Sequence, residues 1–149
     1  MRVRAGSPQR QDAWADLGNA DGAIADGLVF APAPDIADWD RANAELGELF
    51  ELSQQASIEG APVVYVLDAN AVRGRGAVLD CAVAAGLVGG MRALAFEGLR
   101  KDRYATAIGV GAGVTDAEIV SAVKAAIGGR FGRGQVIMLG TDHVGALLP

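Results

Sequence analysis

Four runs of consecutive apolar residues organise the chain: "GLVFA" (27–31), "PVVYVLD" (62–68), "ATAIGVG" (105–111) and "QVIMLGT" (135–141). They are rich in Val, Ile and Leu and continuous rather than alternating, the pattern of strands covered on both faces in a parallel sheet. A weaker fifth strand is expected at "MRVRA" (1–5). Between the runs lie segments of helical spacing. The first covers 37–58, with Trp39, Leu46, Leu49, Phe50 and Leu52 near helical spacing; the second covers 78–100; the third covers 116–127. The third opens on Thr115-x-x-Glu118, a capping box, and Gly128-Gly129 is expected to close it. Turn chemistry fills the gaps, in "APAPD" (31–35), "RGRG" (73–76) and "GGRFGRG" (128–134). This alternation predicts one α/β domain over 1–149, a right-handed, doubly wound, mostly parallel sheet of four or five strands.

One helical segment departs from the usual amphipathic stripe. From Leu79 to Phe96 it is apolar or small on almost every side, interrupted by Asp80 and Arg92. It comes close to membrane length, but the two charges favour a buried helix covered on more than one face.

Composition narrows the class. The 149 residues suffice for a core without staples, and 51% are hydrophobic but only 5% aromatic, as suits helices packed closely on a sheet. A formal charge of −5 and a pI near 4.7 argue against a nucleic-acid partner, which needs a basic surface. The mean hydropathy of +0.25 is high for a monomer and points to surface covered by another subunit. The single cysteine, Cys81, excludes an internal disulfide and fits a reducing cytoplasm, where it reads as a small buried hydrophobe. The first residues lack the apolar run of a signal peptide, so a cytoplasmic protein is expected.

In order, these segments resemble the later part of a short-chain dehydrogenase/reductase. "DGLVFAPA" (26–33) is similar to that family's D-x-L-V-x-N-A-G strand, and "DWDRANAELGELFELSQQA" (38–56) to the helix that follows. "PVVYVLD" resembles the strand that ends at the catalytic serine. "AAGLVGGMRALAFEGLRKDRYATAIGVGAGVT" (84–115) is similar to K-A-G-L-x-x-x-x-R-A-L-A-x-E with its strand and P-G-x-x-x-T, and "GRGQVIMLG" (132–140) to the closing strand. The resemblance covers about residues 26–145 and implies an incomplete Rossmann-like fold.

Two departures bear on function. The family's G-x-x-x-G-x-G turn follows its first strand and carries the dinucleotide pyrophosphate. Only about 25 residues precede "DGLVF", and Gly6, Gly18 and Gly22 do not form that pattern. "GVGAG" (109–113) sits on a late strand, where the resemblance assigns another role. The second departure is chemical: the resemblance lays Asp68 on the family's serine, Asp80 on its tyrosine and Ala84 on its lysine. The N-A-G stretch becomes Ala31-Pro32-Ala33, the helix asparagine falls at Glu45 or Leu46, and the P-G proline becomes Val110. Ionised carboxylates donate no hydrogen bond to a carbonyl, and without the lysine nothing electropositive tunes a donor or holds a ribose. The expectation is a chain with no catalytic, cofactor-binding or metal-binding residues of its own.

Other chemistry is thin. Asp68, at a strand's C-terminal end, is the best residual polar candidate; His143 beside Asp142 reads as structural or surface, and no metal-ligand spacing is present. The arginines of "RGRG" could touch an anion, although such loops are usually solvated. In the resembled family two long helices pair with their counterparts about a two-fold axis. That implies an interface here formed by Leu46, Leu49, Phe50, Leu79, Val83, Gly86, Leu87, Gly90, Met91, Leu94 and Phe96, with Gly86, Gly89 and Gly90 allowing close approach. The last strand is a second contact surface in that family. The implied function is a truncated, non-catalytic subunit in a hetero-oligomer, such as a dimer of dimers, with an active full-length homologue. That partner would bind NAD or NADP and act on an alcohol or ketone, plausibly a hydroxyacyl or ketoacyl thioester. Two other classes stay open: a homo-oligomeric scaffold or acyl-binding protein, and an enzyme built on Asp68 or Asp80.

Overall fold

A computed structural model describes residues 1–99 and 101–141. Five strands, β1 (Arg2–Arg4), β2 (Leu28–Phe30), β3 (Val63–Asp68), β4 (Ala105–Val110) and β5 (Val136–Leu139), form one sheet in chain order, every pair parallel. The helices are α1 (Pro8–Ala13), α2 (Trp39–Glu59), α3 (Ala69–Val72), α4 (Val78–Glu97) and α5 (Asp116–Gly129). All five expected strands are present, each a residue or two shorter at its ends. The short helices α1 and α3 carry too few residues to show periodicity in the sequence.

Strand alternation divides the interior into two cores. Val63, Tyr65 and Leu67 of β3 face α2 and α4, with Leu49, Val83, Leu87 and Met91 packed above them. Val64 and Val66 face the other way, against Trp14, Ile119 and Val123 beside α1 and α5. Both faces of β3 are therefore dry, which is why its sequence is a continuous apolar run.

The topology corrects the expectation of uniformly right-handed crossovers. Strands advance in one direction from β2 to β5, yet α2 and α4 cover one face and α5 the other. The β4–α5–β5 step thus has the opposite hand to the two steps before it, against the usual rule. At the other edge, Asn19 makes a single parallel bridge to Arg2, and the Val3 N–H donates to the Asn19 carbonyl at 2.9 Å. The chain therefore touches the outer edge of β1 at Asn19, after α1 and before crossing to β2. It turns beneath Met1 at Gly22, where a Cβ would stand 2.0 Å from the Met1 carbonyl oxygen; only glycine fits there.

Helix ends follow local chemistry. Asp38 caps α2 by accepting the Arg41 N–H, and Gly60 ends it at φ 72. The Thr115–Glu118 capping box opens α5 as expected. The expected glycine stop does not: α5 runs through Gly128 and Gly129, and Arg130 takes the left-handed position at φ 48. Its guanidinium is bonded to the Asp102 carboxylate and carbonyl, at 2.8 and 2.9 Å. α4 ends at Glu97, short of the expected limit, and Arg100 lies outside the described residues.

One buried ion pair ties the sheet edge to α2. Glu45 is 1% exposed, and its carboxylate accepts from Arg4 at 2.7 Å, from Arg41 at 3.1 Å and from the Ala33 N–H at 3.1 Å. Arg4 also donates to the Ala31 carbonyl and to Glu48, and its guanidinium lies 4.9 Å from the Phe30 ring centroid. On the same side, Tyr65 and Ser53 share a buried hydrogen bond of 2.6 Å. Burial pushes the Tyr65 hydroxyl up to about 12, and the Ser53 bond opposes that only in part.

Two predictions follow. Glu45→Ala strands Arg4 and the Ala33 N–H and should cost about 3 kcal/mol. Urea unfolding followed by the fluorescence of buried Trp14 measures it, and the double change Arg4→Met with Glu45→Leu should recover most of the loss. Tyr65 is neutral in the fold to a higher pH than in the unfolded chain, so its contribution is complete below pH ~10 and lost as pH rises towards 12. Over that window the wild type should lose about 2 kcal/mol more stability than Tyr65→Phe, in paired unfolding curves.

Candidate functional site

A cleft of about 350 Å³ opens where β2 and β3 end and α4 begins. Its walls are the 32–36 loop, Asp68, Asn70 and Ala71, the first turns of α4, and Arg10 and Arg75. Such strand ends are the usual place for a site in an open α/β sheet. Asp68, Asp80 and Ala84, the three positions laid on serine, tyrosine and lysine, all line this one cleft.

Each of the two aspartates binds backbone N–H groups through one carboxylate oxygen. Asp68 caps α3, one carboxylate oxygen accepting from the Asn70 and Ala71 N–H groups at 2.7 and 3.0 Å. Asp80, in the first turn of α4, accepts the Ile36 N–H at 3.0 Å and so holds the 32–36 loop against the helix. Ala84 is 1% exposed and supplies no polar group. The cleft thus has hydrogen-bond acceptors where the resembled family has a proton donor and its lysine. Of the "RGRG" arginines, Arg73 is bonded to the Ala69 carbonyl and Asn70, whereas Arg75 lines the cleft. Cys81 is partly buried beside Gly76. Among the described residues no group of three or more His, Cys, Asp or Glu could hold a metal. Asp142 and His143 lie outside the described residues.

The residues after β1 do not fit a dinucleotide. Gly6 stands where the first glycine of G-x-x-x-G-x-G would be, and the other two fall at Arg10 and Asp12. Gly6, at φ 75, is backed so closely by the loop after β2 that a Cβ would lie 2.3 Å from the Pro32 carbonyl oxygen. The loop after β2 therefore lies directly against the turn after β1. Ser7 already accepts the Arg10 N–H as the cap of α1, and the Arg10 guanidinium lies over the Trp14 ring, 3.8 Å from Asp116.

A second concavity, about 520 Å³ and mostly apolar, runs along the outside of the molecule between α2 and α4. Residues of the expected interface divide here. Val83, Leu87 and Met91 are fully buried on the sheet and Leu49 nearly so, placing them in the chain's own core, out of a partner's reach. Leu79 packs partly on that core. Leu46, Phe50, Gly86, Gly90 and Leu94 line the groove, with Ser53 and Tyr65 also in its wall. Leu46 fills the space above Gly86, where a Cβ would meet it at 2.8 Å. Phe50 is 66% exposed and Phe96 76%. Exposed Trp39, Ile58 and Val78 extend the same apolar surface and were not among the expected residues. The signal for two of them was present: Trp39, Phe50 and Ile58 are 11 and 8 residues apart, one face of a helix.

Neither a family model nor a curated protein matches the sequence. Solved structures do match in fold. An acetoin dehydrogenase from Enterobacter cloacae superposes with a TM-score of 0.65 at 18% identity, over 100% of this chain and 75% of that one. A putative oxidoreductase from Escherichia coli strain K-12 gives 0.62 at 20% identity, over 75% of this chain. The match spans 61% of the E. coli protein's length. At such identities the likeness establishes a Rossmann-like α/β fold and leaves the chemistry to the residues themselves.

Proposed function

We propose that this chain is a non-catalytic subunit of short-chain-dehydrogenase type, which docks through α2 and α4 onto an active homologue and supports it. The observation that carries this reading is the uneven burial of α4. An 18-residue window of the helix has a mean hydropathy of 1.6, yet only 28% of that window is buried inside the chain. Length and composition alone would let such a helix cross a membrane. However, Val83, Leu87 and Met91 on one face are fully packed against the sheet, so a second protein surface suits the other face better.

The cleft supports the non-catalytic half of the proposal. Its two central carboxylates hold backbone N–H groups, its third position is an alanine, and Pro32 lies close against Gly6 after β1. NAD or NADP, and the turnover of an alcohol or ketone, then belong to the partner. A self-paired assembly would use the same face.

Gly89 offers a clean test, because a Cβ there meets nothing within 4 Å and glutamate favours a helix over glycine. Co-expressed with an intact short-chain dehydrogenase from the same genome, the wild type should co-elute as one hetero-oligomer. Gly89→Glu should fold normally, with an unchanged or slightly raised unfolding midpoint, and elute alone. A variant that assembles as well as the wild type overturns the docking face. Wild-type chain that elutes apart from the dehydrogenase overturns the proposed partner.

A further inference from the structure

We infer that the end of the molecule opposite the cleft is a docking surface for an acidic segment of a partner protein, one that inserts an apolar side chain between Arg92 and Arg133. This end is built from the last turn of α4, the loop from α4 to β4 and the loop from α5 to β5. It borders the α2–α4 face at Phe96, but its recess shares no lining residue with the groove between those helices, so neither reading requires the other.

Charge is the first observation. Among the described residues, 92–99, 101–103 and 130–133 hold five of the chain's 13 basic residues and two of its 18 acidic ones, a local +3 that leaves −8 for everything else. In a protein of net −5 this is a concentrated field of the opposite sign. The second observation is apolar exposure in the same place: Phe96 is 76% exposed, Leu99 60% and Phe131 48%. A recess of about 220 Å³ lies among Arg92, Ala95, Phe96, Leu99, Arg133 and Gly134. Its floor and rim are apolar, with a guanidinium on either side. Exposed aromatic residues beside arginine are the composition of interface hot spots.

The third observation is rigidity. The two loops are stapled to each other and to the sheet: Arg130 and Arg133 both donate to Asp102 at 2.8 Å, the Tyr104 hydroxyl donates to the Phe131 carbonyl at 2.7 Å, and Thr106 donates to the Gly132 carbonyl at 2.8 Å. Arg103 reaches across to Ser57 of α2 at 2.6 Å. Asp102 and Arg130 hold left-handed backbone at φ 50 and φ 48, which non-glycine residues adopt only when the surroundings impose it. The hydrogen bond from Arg133 and the charge of Arg130 hold the Asp102 carboxyl below its ordinary range, so the staple persists in mild acid. Such a surface is ordered before a partner arrives and loses little freedom on binding.

The recess decides between partner classes. A shallow recess lined by Ala95, Phe96 and Leu99 beside Arg92 and Arg133 suits one apolar side chain from a segment that carries acids on both sides of it, a side chain that a duplex lacks. A short fluorescein-labelled peptide of Glu-Glu-Leu-Phe repeats is the probe, followed by anisotropy with the full chain. It should bind at low salt, weaken as salt screens the field, and bind at least about tenfold more weakly to Arg92→Glu/Leu99→Ser. Both substituted side chains are exposed, and an unchanged circular dichroism spectrum and unfolding midpoint establish that the variant is folded. Gly89→Glu should bind the peptide like the wild type, which separates this surface from the α2–α4 face. The inference is overturned if the peptide does not bind at low salt, if a Glu-only peptide binds equally, or if the double variant binds unchanged. Preference for phosphatidylserine vesicles or duplex DNA over the peptide overturns it as well.

Discussion

The structure turns on a carboxylate that has no water. Glu45 is almost wholly buried, and a carboxylate shut away from solvent there needs donors to offset its lost hydration. Three donors from three parts of the chain meet it: Arg4 from the end of β1, the Ala33 N–H from the loop after β2, and Arg41 from the preceding turn of α2. One side chain thereby fixes the sheet edge, the rim of the cleft and the long helix relative to one another. It also spends the positive charge at the head of β1 on internal acids, Glu45 and Glu48. In a dinucleotide-binding sheet that region faces a pyrophosphate; here Arg4 neutralises groups of its own chain, and Gly6 lies directly against Pro32.

α4 inherits its orientation from that frame. With α2 fixed, α4 packs beside it and turns Val83, Leu87 and Met91 down onto β3 and β4. A helix has more than one side, and a five-stranded sheet covers only one of them. Gly89, Gly90 and Ala93 remain outward, small enough for another helix to lie close, while Leu46 already covers Gly86, and Phe50 and Phe96 are exposed on the same pair of helices. The apolar excess that looked anomalous in the sequence is thus a packing requirement met on one face and left open on the other.

The sheet was legible because burial on both faces leaves a strong mark: four apolar runs, each a strand, and a capping box that opens α5 where it was expected. The short elements were not. α1 has six residues and α3 four, and each is held by a single cap, Ser7 or Asp68, rather than by a hydrophobic stripe. The crossover of opposite hand at α5 leaves no trace in composition, since a right- and a left-handed connection bury the same residues. At the site, Asp68, Asp80 and Ala84, the three residues that colinearity laid on family positions, line one cleft. Colinearity could not show that both acids bind backbone N–H groups, because a capping aspartate and a catalytic one have the same letter. Glu45 was marked only as an alternative to a family asparagine. Its real partner, Arg4, is 41 residues away and belongs to a strand too short to announce its neighbours.

The distribution of charge has an ordinary cause and a remainder. In a parallel sheet the helices that cross it all begin at the strands' C-terminal ends, so their dipoles align. Acids gather in the first turns, as Asp40, Asp80, Asp116 and Glu118 do, and bases suit the far end, where Lys101, Arg103, Arg130 and Arg133 follow α4 and α5. Dipole alignment therefore accounts for why this end of the molecule is basic. It says nothing about Phe96, Leu99 and Phe131, which gain nothing from a field and lose by facing water. Nor does it require two non-glycine residues to hold left-handed backbone so that Arg130 and Arg133 stand fixed on Asp102. Charge alone would have been served as well by flexible lysines; a rigid arginine pair beside exposed aromatic surface is what a protein contact, and not helix energetics, would demand.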